Sequence, residues 1–286
     1  MDIISRAIEA FNLDVKSIEL VTESYSSTVR IIELKNNEKV VLKIPFNREK
    51  ISREARALEL LLSNPLVPNL LNVWYGDETN IGALLMSYIE GKPMSLPIND
   101  ELSFEIGKAL ASIHKIRLEQ FELDDNENDW WKSIRNRFKS WLIEIDGHIP
   151  LELKVKLEKF FELEMNRDHK VAGPCLVHFD YRPGNLLVKN GKLVGVIDFE
   201  TSRGGSAEID FTKIAEYIWK VYPNMKNAFI RGYESIAELP DIEETLPLFS
   251  IHNAVGGLVW CVRRSKLDDQ FFYENLNLLE KSLNEY

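Results

Sequence analysis

Residues 178–185 read His178-Phe179-Asp180-Tyr181-Arg182-Pro183-Gly184-Asn185, "HFDYRPGN", between the apolar "CLV" of 175–177 and the apolar "LLV" of 186–188. An acid, an arginine, a proline and an amide are thus packed into a turn between two strand-like runs. The chain continues to 200 as "LLVKNGKLVGVIDFE", where Asn190-Gly191 between apolar segments is a strong signal for a two-residue hairpin turn. A turn there pairs Lys189 with Lys192. Counting outward sets Asn185 opposite Val196 and Asp198 opposite Pro183, so an amide and an acid arrive at one end of the ribbon with Asp180 just beyond it.

Two carboxylates and an amide held close together are costly to bury unless a cation or hydrogen bonds compensate them. Oxygen ligands of this kind suit Mg2+, which keeps several waters and binds through one or two protein groups plus substrate phosphates. Phosphoryl transfer needs this set: an acid that orients an attacking hydroxyl and takes its proton, and ligands for a metal that neutralises the transferred group. The plainer reading is a turn network in which Asp180 caps backbone amides and Asp198 ends a strand.

The 286 residues are 45% hydrophobic and 28% charged, enough for one large domain or two lobes and too apolar for a chain that is mainly disordered. With 45 acids against 35 bases the formal charge is -10. That balance argues against nucleic acid and anionic membrane as partners and agrees with a cationic small molecule. Cys175 and Cys261 offer neither a disulfide framework nor zinc-ligand spacing and read as core residues in a reducing compartment. The start "MDIISRAIEAFNLD" lacks the pattern of a signal peptide, and no stretch reads as a membrane span, so the expected location is the cytoplasm.

Residues 1–12 suit a short amphipathic helix, and 28–34 ("TVRIIEL") and 39–44 ("KVVLKI") read as a hairpin joined by "KNNE". From 48 to 63 a helical stripe of Ile51, Ala55, Leu58 and Leu62 is ended by Pro65. "LNVWY" and "IGALLMSYI" read as two more strands. The rest is mainly helical: 101–116 with Leu102, Ile106, Leu110 and Ile113, then segments near 130–145, 151–166, 208–222 and 270–284. Glu90-Gly91-Lys92-Pro93 interrupts the pattern and marks a boundary between residues 1–90 and 91–286.

"HFDYRPGNLLV" and "GVIDFE" resemble the catalytic loop and metal-binding segment of the aminoglycoside phosphotransferase and choline kinase-like small-molecule kinases. The resemblance implies an α+β, two-lobed protein-kinase-like fold, with a small β-rich N-terminal lobe (1–90) for nucleotide and a larger, mainly helical lobe (91–286) for catalysis and substrate. It implies that Asp180 is the catalytic acid receiving the hydroxyl proton, that Asn185 and Asp198 are the magnesium ligands, and that His178 is a structural loop histidine. The family commonly has glycine where this chain has Phe179. In "GSAEIDFTKIAEYI", Asp210 resembles the buried acid that braces the catalytic loop; an acid in the first turn of a helix is also favourable for ordinary dipole reasons.

On the nucleotide side, Lys43 in "VVLKIP" would act as a point charge for the α and β phosphates, against the alternative of a solvated strand lysine. Its position just before a helix matches the kinase-like family. Periodicity leaves its acidic partner open between Glu54 and Glu59, and the resemblance favours Glu54. The expected phosphate-covering loop reads "TESYSSTV" (22–29), with no glycine, so Ser26 and Ser27 would donate to phosphate from hydroxyls and amides. "MSYIEG" (86–91) resembles the hinge strand, placing Ser87 and Tyr88 at the purine edge; it also reads as the last strand of a sheet.

For the acceptor, the candidates are Glu200 beside the metal segment and Asp129, near the acids Asp124, Asp125 and Glu127, with a second group at Asp241, Glu243 and Glu244. Trp130, with Trp131 and Trp260, could offer a face to an alkylated amine. Solvated loop acids and helix-packing tryptophans are the bland alternatives. The whole reads as ATP- or GTP-dependent transfer, with Mg2+, to the hydroxyl of a small amine-bearing molecule, either an aminoglycoside or a choline-like amino alcohol. A non-catalytic nucleotide-binding module is the reading from another class. The missing glycines favour it; Lys43, Asp180, Asn185 and Asp198 together oppose it. A metal-dependent phosphohydrolase would use some of the same oxygens but has no need of the hinge or the strand lysine.

Overall fold

A computed structural model of the chain describes residues 2–21, 27–122, 129–165, 169 and 171–284. Helix α1 (Ile3–Ala10) opens it, capped by the Asp2 carboxylate on the Ser5 N–H. Strands β1 (Val15–Leu20), β2 (Thr28–Leu34) and β3 (Lys39–Ile44) follow, then α2 (Arg48–Leu60), β4 (Leu70–Trp74), β5 (Ala83–Ser87) and β6 (Lys92–Pro93). Next come α3 (Asp100–His114), α4 (Trp130–Glu144), α5 (Leu151–Met165), β7 (Cys175–Val177), β8 (Leu186–Lys189) and β9 (Lys192–Val196). The remaining helices are α6 (Phe211–Ile214), continued by a π turn to Trp219, α7 (Met225–Glu234), α8 (Ile242–Arg263) and α9 (Gln270–Asn284).

Contacts divide the chain into two compact units, one of Met1–Ile116, His178–Arg203 and Tyr217–Glu238, the other of Arg117–Val177, Gly204–Glu216 and Leu239–Tyr286. This division does not fall at residue 90. The reason is local pairing: Lys92 and Pro93 lie opposite Val188 and Leu187 of β8, which ties the segment after the glycine back to the first unit.

In the first unit, an antiparallel sheet runs in the order β1-β2-β3-β5-β4. One face buries Ile32, Val40, Leu42, Ile44, Ala83 and Leu85 with Ala7 of α1. Each such aliphatic side chain larger than alanine contributes about 1.5–3 kcal/mol when fully buried. Strand alternation then directs Lys43 away from Leu42. Helix α2, capped by Asn47 on the Lys50 N–H, buries Ile51, Ala55 and Leu58 as its period predicts, and Glu54 with them. Leu62 is exposed, because the helix ends two residues before it.

A second sheet of this unit is ordered β6-β8-β9. Its turn residues Asn190 and Gly191 have φ of +53° and +75°, the left-handed pair that a two-residue hairpin turn requires. Lys189 lies opposite Lys192, but an irregularity between Leu187 and Val188 then shifts the register, so Leu186 rather than Asn185 faces Val196. The bulge corrects the count from the turn by one residue: the Ile197 N–H donates to the Asn185 carbonyl at 3.0 Å. Helices α3 and α7 cross at two glycines, where a Cβ on Gly107 would lie 2.0 Å from the Phe229 carbonyl oxygen and one on Gly232 1.9 Å from that of Phe104.

The second unit is helical. α8 packs on α4, α6 and α9, with Gly256 against the Trp141 ring and Gly257 against the Asn275 side chain. Among the described residues it is the one helix long and apolar enough to cross a membrane by length and composition, contrary to the expectation that no stretch is; 61% of that window is buried within the protein.

Candidate active site

The loop from His178 is held by its own backbone. The buried His178 ring packs on Phe199; its Nε2 donates to the Ile197 carbonyl at 3.0 Å, and its Nδ1 accepts the Asp180 N–H at 3.3 Å. Those two bonds set the tautomer and tie the loop to the end of the hairpin. Phe179 takes φ +65°, a backbone region that suits glycine, with the Arg203 guanidinium 4.7 Å from its ring centroid. The buried Tyr181 hydroxyl donates to the Ile106 carbonyl at 2.8 Å and fastens the loop to α3.

Between these anchors stands Asp180. Its Oδ2 accepts from Arg182 Nε at 2.9 Å and from Asn185 Nδ2 at 3.0 Å. Asn185 Nδ2 also donates to the Asp180 carbonyl at 2.8 Å, so the amide nitrogen faces Asp180 and the amide oxygen is turned away. Asp180 Oδ1 receives no hydrogen bond from the described residues, and the side chain is 29% exposed. Gly184 makes room for this arrangement: a Cβ there would sit 2.6 Å from Arg182 Nη1.

At the end of β9, Asp198 turns the chain with φ +70° and meets Lys43. The Lys43 ammonium, on a residue only 5% exposed, lies 2.6 Å from Asp198 Oδ1, 2.7 Å from Glu54 Oε2 and 3.2 Å from Glu200 Oε2. Glu59 is exposed and takes no part. Glu200 Oε1 pairs with Lys50, and its Oε2 accepts from the Ser27 hydroxyl at 2.6 Å. Three carboxylates therefore share two ammonium groups, one negative charge in excess.

The titration of these groups follows from that imbalance. Burial works against a charged Lys43, but Asp198, Glu54 and Glu200 outweigh it and raise its pKa. Burial raises Glu54; Lys43 pulls it back, while Asp198 and Glu200 add to the rise. Burial also acts upward on Glu200, yet Lys43, Lys50 and Ser27 prevail and hold it low.

One oxygen each of Glu54, Asp198 and Glu200 lies within 4.8 Å of the others, and the cation they share is the Lys43 ammonium. Asp198 and the amide oxygen of Asn185 are hard oxygen donors of the kind that Mg2+ takes, whereas Glu54 and Glu200 are engaged by Lys43 and Lys50.

Other expected site residues fall elsewhere. Ser26 lies outside the described residues, as do Asp124, Asp125 and Glu127. Ser87 donates its N–H to the Asn69 carbonyl and accepts the Asn69 N–H on its hydroxyl, both at 2.9 Å, so its N–H is committed to the sheet while its hydroxyl keeps a proton to donate. The Tyr88 ring has Lys39 Nζ 5.5 Å from its centroid. In the second unit, Asp129 caps α4 through the Lys132 N–H at 3.0 Å. Trp130 is 4% exposed and packs on Phe121, so the face expected to meet a cation is occupied. Trp260 carries Arg264 and Lys266 of the chain itself over its ring. Asp210 is buried at the start of α6.

Two members of the site were not expected from the sequence. Arg182 carries no site role in the sequence pattern, yet its Nε donates to Asp180. Lys50 stands one turn before Glu54 on α2, and that spacing is the signal that would have found it, since residues four apart share a helix face.

A sequence model of the family described as "Phosphotransferase enzyme family" matches residues 17–248. Among solved structures, a mutant aminoglycoside 2'-phosphotransferase-IIIa in complex with GDP superposes with a TM-score of 0.75 at 16% identity, covering 99% of this chain and 97% of that one. A macrolide 2'-phosphotransferase from Brachybacterium faecium, as apoenzyme, gives 0.69 at 14% identity, with 98% of each chain covered. A proposed fructosamine-3-kinase from Thermobifida fusca gives 0.69 at 18% identity, covering 98% of this chain and 99% of that one. The fold, with its antiparallel sheet N-terminal and its helices C-terminal, is that of these kinase-like enzymes. No curated protein matches the chain by sequence.

Proposed function

Because the chain belongs to the phosphotransferase enzyme family, we propose that it transfers the γ-phosphoryl group of ATP or GTP to a hydroxyl of a small amine-bearing molecule. The observation that carries this reading is the Asp180 carboxylate, with one oxygen doubly held by Arg182 and Asn185 and the other open. The substrate hydroxyl docks on the open oxygen. As the substrate oxygen bonds to the γ-phosphorus, its proton passes to Asp180; the bond to the β-bridging oxygen breaks and the nucleoside diphosphate leaves. Lys43 holds the donor phosphates as a point charge. Asn185 and Asp198 would hold Mg2+, whose charge offsets that of the phosphates.

Residues 1–90 are assigned to the donor and 91–286 to catalysis and acceptor. The GDP complex among the matched structures supports a nucleotide donor. The formal charge of -10 supports a cationic acceptor, an aminoglycoside or, alternatively, a choline-like amino alcohol, and we place the enzyme in the cytoplasm; Glu200, expected as an acceptor acid, is instead engaged by Lys43, Lys50 and Ser27. An aminoglycoside acceptor would make the activity one of antibiotic resistance. One observation favours a module that binds nucleotide without turnover: Asp198 Oδ1 is already paired with Lys43.

The test is release of ADP and of GDP against a panel of aminoglycosides, choline, ethanolamine, homoserine and sugars, with Asp180→Asn as control. The kinase reading expects at least one alcohol to be phosphorylated and the variant to lose most of that rate. Tight nucleotide binding with no accepted alcohol would establish the non-catalytic reading instead.

A further inference from the structure

Lys50 lies in the first turn of α2, where the helix dipole disfavours a cation. Its backbone N–H is already capped by Asn47 Oδ1 at 3.1 Å, so the helix end itself is satisfied. The side chain turns inward, pairs through Nζ with Glu200 Oε1, and remains 20% exposed. Glu200 thereby bridges donors from three places: Ser27 beside the start of β2, Lys43 on β3 and Lys50 on α2. The two cations are not equivalent. Lys43 is buried among three carboxylates, whereas Lys50 has Glu200 as its single charged partner among the described residues and retains access to solvent.

The sequence between Val21 and Val29 contains no glycine, so the close backbone approach that lets a loop wrap phosphate with its N–H groups is lost. Ser27 of that stretch donates to Glu200, the carboxylate that also pairs with Lys50, so a side-chain cation is at hand to replace it. We propose that Lys50 is a second phosphate-binding cation of the donor site, held in reserve by Glu200 and released to the polyphosphate chain of the incoming nucleotide. The proposal rests on the kinase reading for the identity of the ligand and on the Lys50–Glu200–Lys43 geometry for the residue. An arriving polyphosphate competes with one carboxylate for Lys50, which costs less than stripping Lys43 of three.

The experiment is calorimetric titration of the full chain with ATP, GTP, their nucleosides and inorganic tripolyphosphate, with EDTA and then with magnesium, for wild type, Lys50→Met, Lys50→Arg and Glu200→Gln. Circular dichroism melts establish that each variant is folded. Lys50→Met is expected to weaken triphosphate and tripolyphosphate binding about 10- to 100-fold, the size of one charge-assisted hydrogen bond, and to leave nucleoside binding unchanged. Lys50→Arg should restore most of the loss. Glu200→Gln should tighten metal-free tripolyphosphate binding, because the competing carboxylate is gone.

Equal binding by Lys50→Met and wild type overturns the proposal. So does a Glu200→Gln variant that loses metal-free binding as Lys50→Met does, since the pair would then only support the architecture. Tripolyphosphate binding that needs Lys50, without any nucleotide binding by wild type, would keep the anion site and sink the kinase reading; binding of neither probe overturns both.

Discussion

Arg182 Nε stands 2.9 Å from Asp180 Oδ2, and this contact decides which oxygen of the carboxylate stays open. Arg182 and Asn185 converge on the same oxygen from within the loop, so the orientation of Asp180 does not depend on a substrate being present. Burial works against charge on Arg182, but its pairing with Asp180 outweighs this and raises its pKa. The guanidinium is therefore cationic at any working pH.

On the proposed transfer, removing Arg182 should leave the nucleotide end intact and loosen the carboxylate proposed as base. For Arg182→Ala, kcat is expected to fall about 10- to 100-fold, the cost of a misplaced reacting group, with the nucleotide KM changed by no more than about twofold. Arg182→Lys should lie between, because an ammonium keeps the charge without the planar fork. Steady-state kinetics on whichever alcohol is accepted checks this; full kcat in Arg182→Ala would remove the residue from the site.

The α3–α7 crossing offers a stability test whose sign is opposite to the usual one. Glycine to alanine within a helix normally stabilises by up to about 1 kcal/mol. At Gly107 or Gly232 the new methyl would lie about 2 Å from a backbone carbonyl oxygen of the facing helix, a contact that only separation of the helices can relieve. Overpacking of this kind costs about 1–3 kcal/mol. The urea midpoint of either variant should fall, and the double variant should lose less than the sum, since one separation relieves both contacts.

How much of this was readable in the sequence depends on whether a residue's task left a local pattern. The stripe Leu102, Ile106, Leu110 and Ile113 is buried, and β2 and β3 span the residues that β-branched runs indicated. The turn at Asn190-Gly191 was legible because few residues other than Asn and Gly accept a left-handed backbone. By contrast, β1 is an edge strand with five of its six residues exposed, so it shows no alternation to read. Helix α8 is buried around most of its circumference and so has no stripe, and its Gly256-Gly257 looks like a break until the close neighbours Trp141 and Asn275 are seen. The bulge before Val188 has no residue signature, which is why the register count slipped by one. Phe179 is a tertiary override: the ring packed by Arg203 holds a backbone conformation that the side chain alone disfavours.

The two cysteines should behave as core residues. Burial pushes the Cys175 thiol up to about 12, helped by Asp210, and burial also raises Cys261. Because the thiolate is the reactive form, a chromogenic disulfide reagent at pH 8 is expected to modify neither thiol in the native protein and both after denaturation. Rapid native modification of either would contradict the packing around α8 or the Cys175 Sγ contact with the Gly205 carbonyl.

The charge excess around Lys43 gives a pH dependence with a definite sign. Burial lifts Glu54 from 4.5 to about 7, so between those values the native state holds a proton that the unfolded chain has released. Stability must then fall as pH rises through that window. The carboxylates whose pKa values are lowered, Glu200 and Glu144 among them, act the other way: their stabilisation is lost as pH falls below the ordinary carboxylate range, outside this window. Lys43, with a raised pKa, loses its contribution only at strongly alkaline pH. Glu54→Gln removes the titrating group while keeping a side-chain oxygen for Lys43, so its stability should be nearly flat from pH 5 to 7, where wild type declines by about 2 kcal/mol. Magnesium held by Asp198 should flatten the wild-type curve as well, because a divalent charge there offsets the push of that carboxylate on Glu54. Urea unfolding at a series of pH values, with and without magnesium, reads both effects; a wild-type curve that rises from pH 5 to 7 would show that Glu54 stays ionised against Lys43 and that the excess charge resides elsewhere.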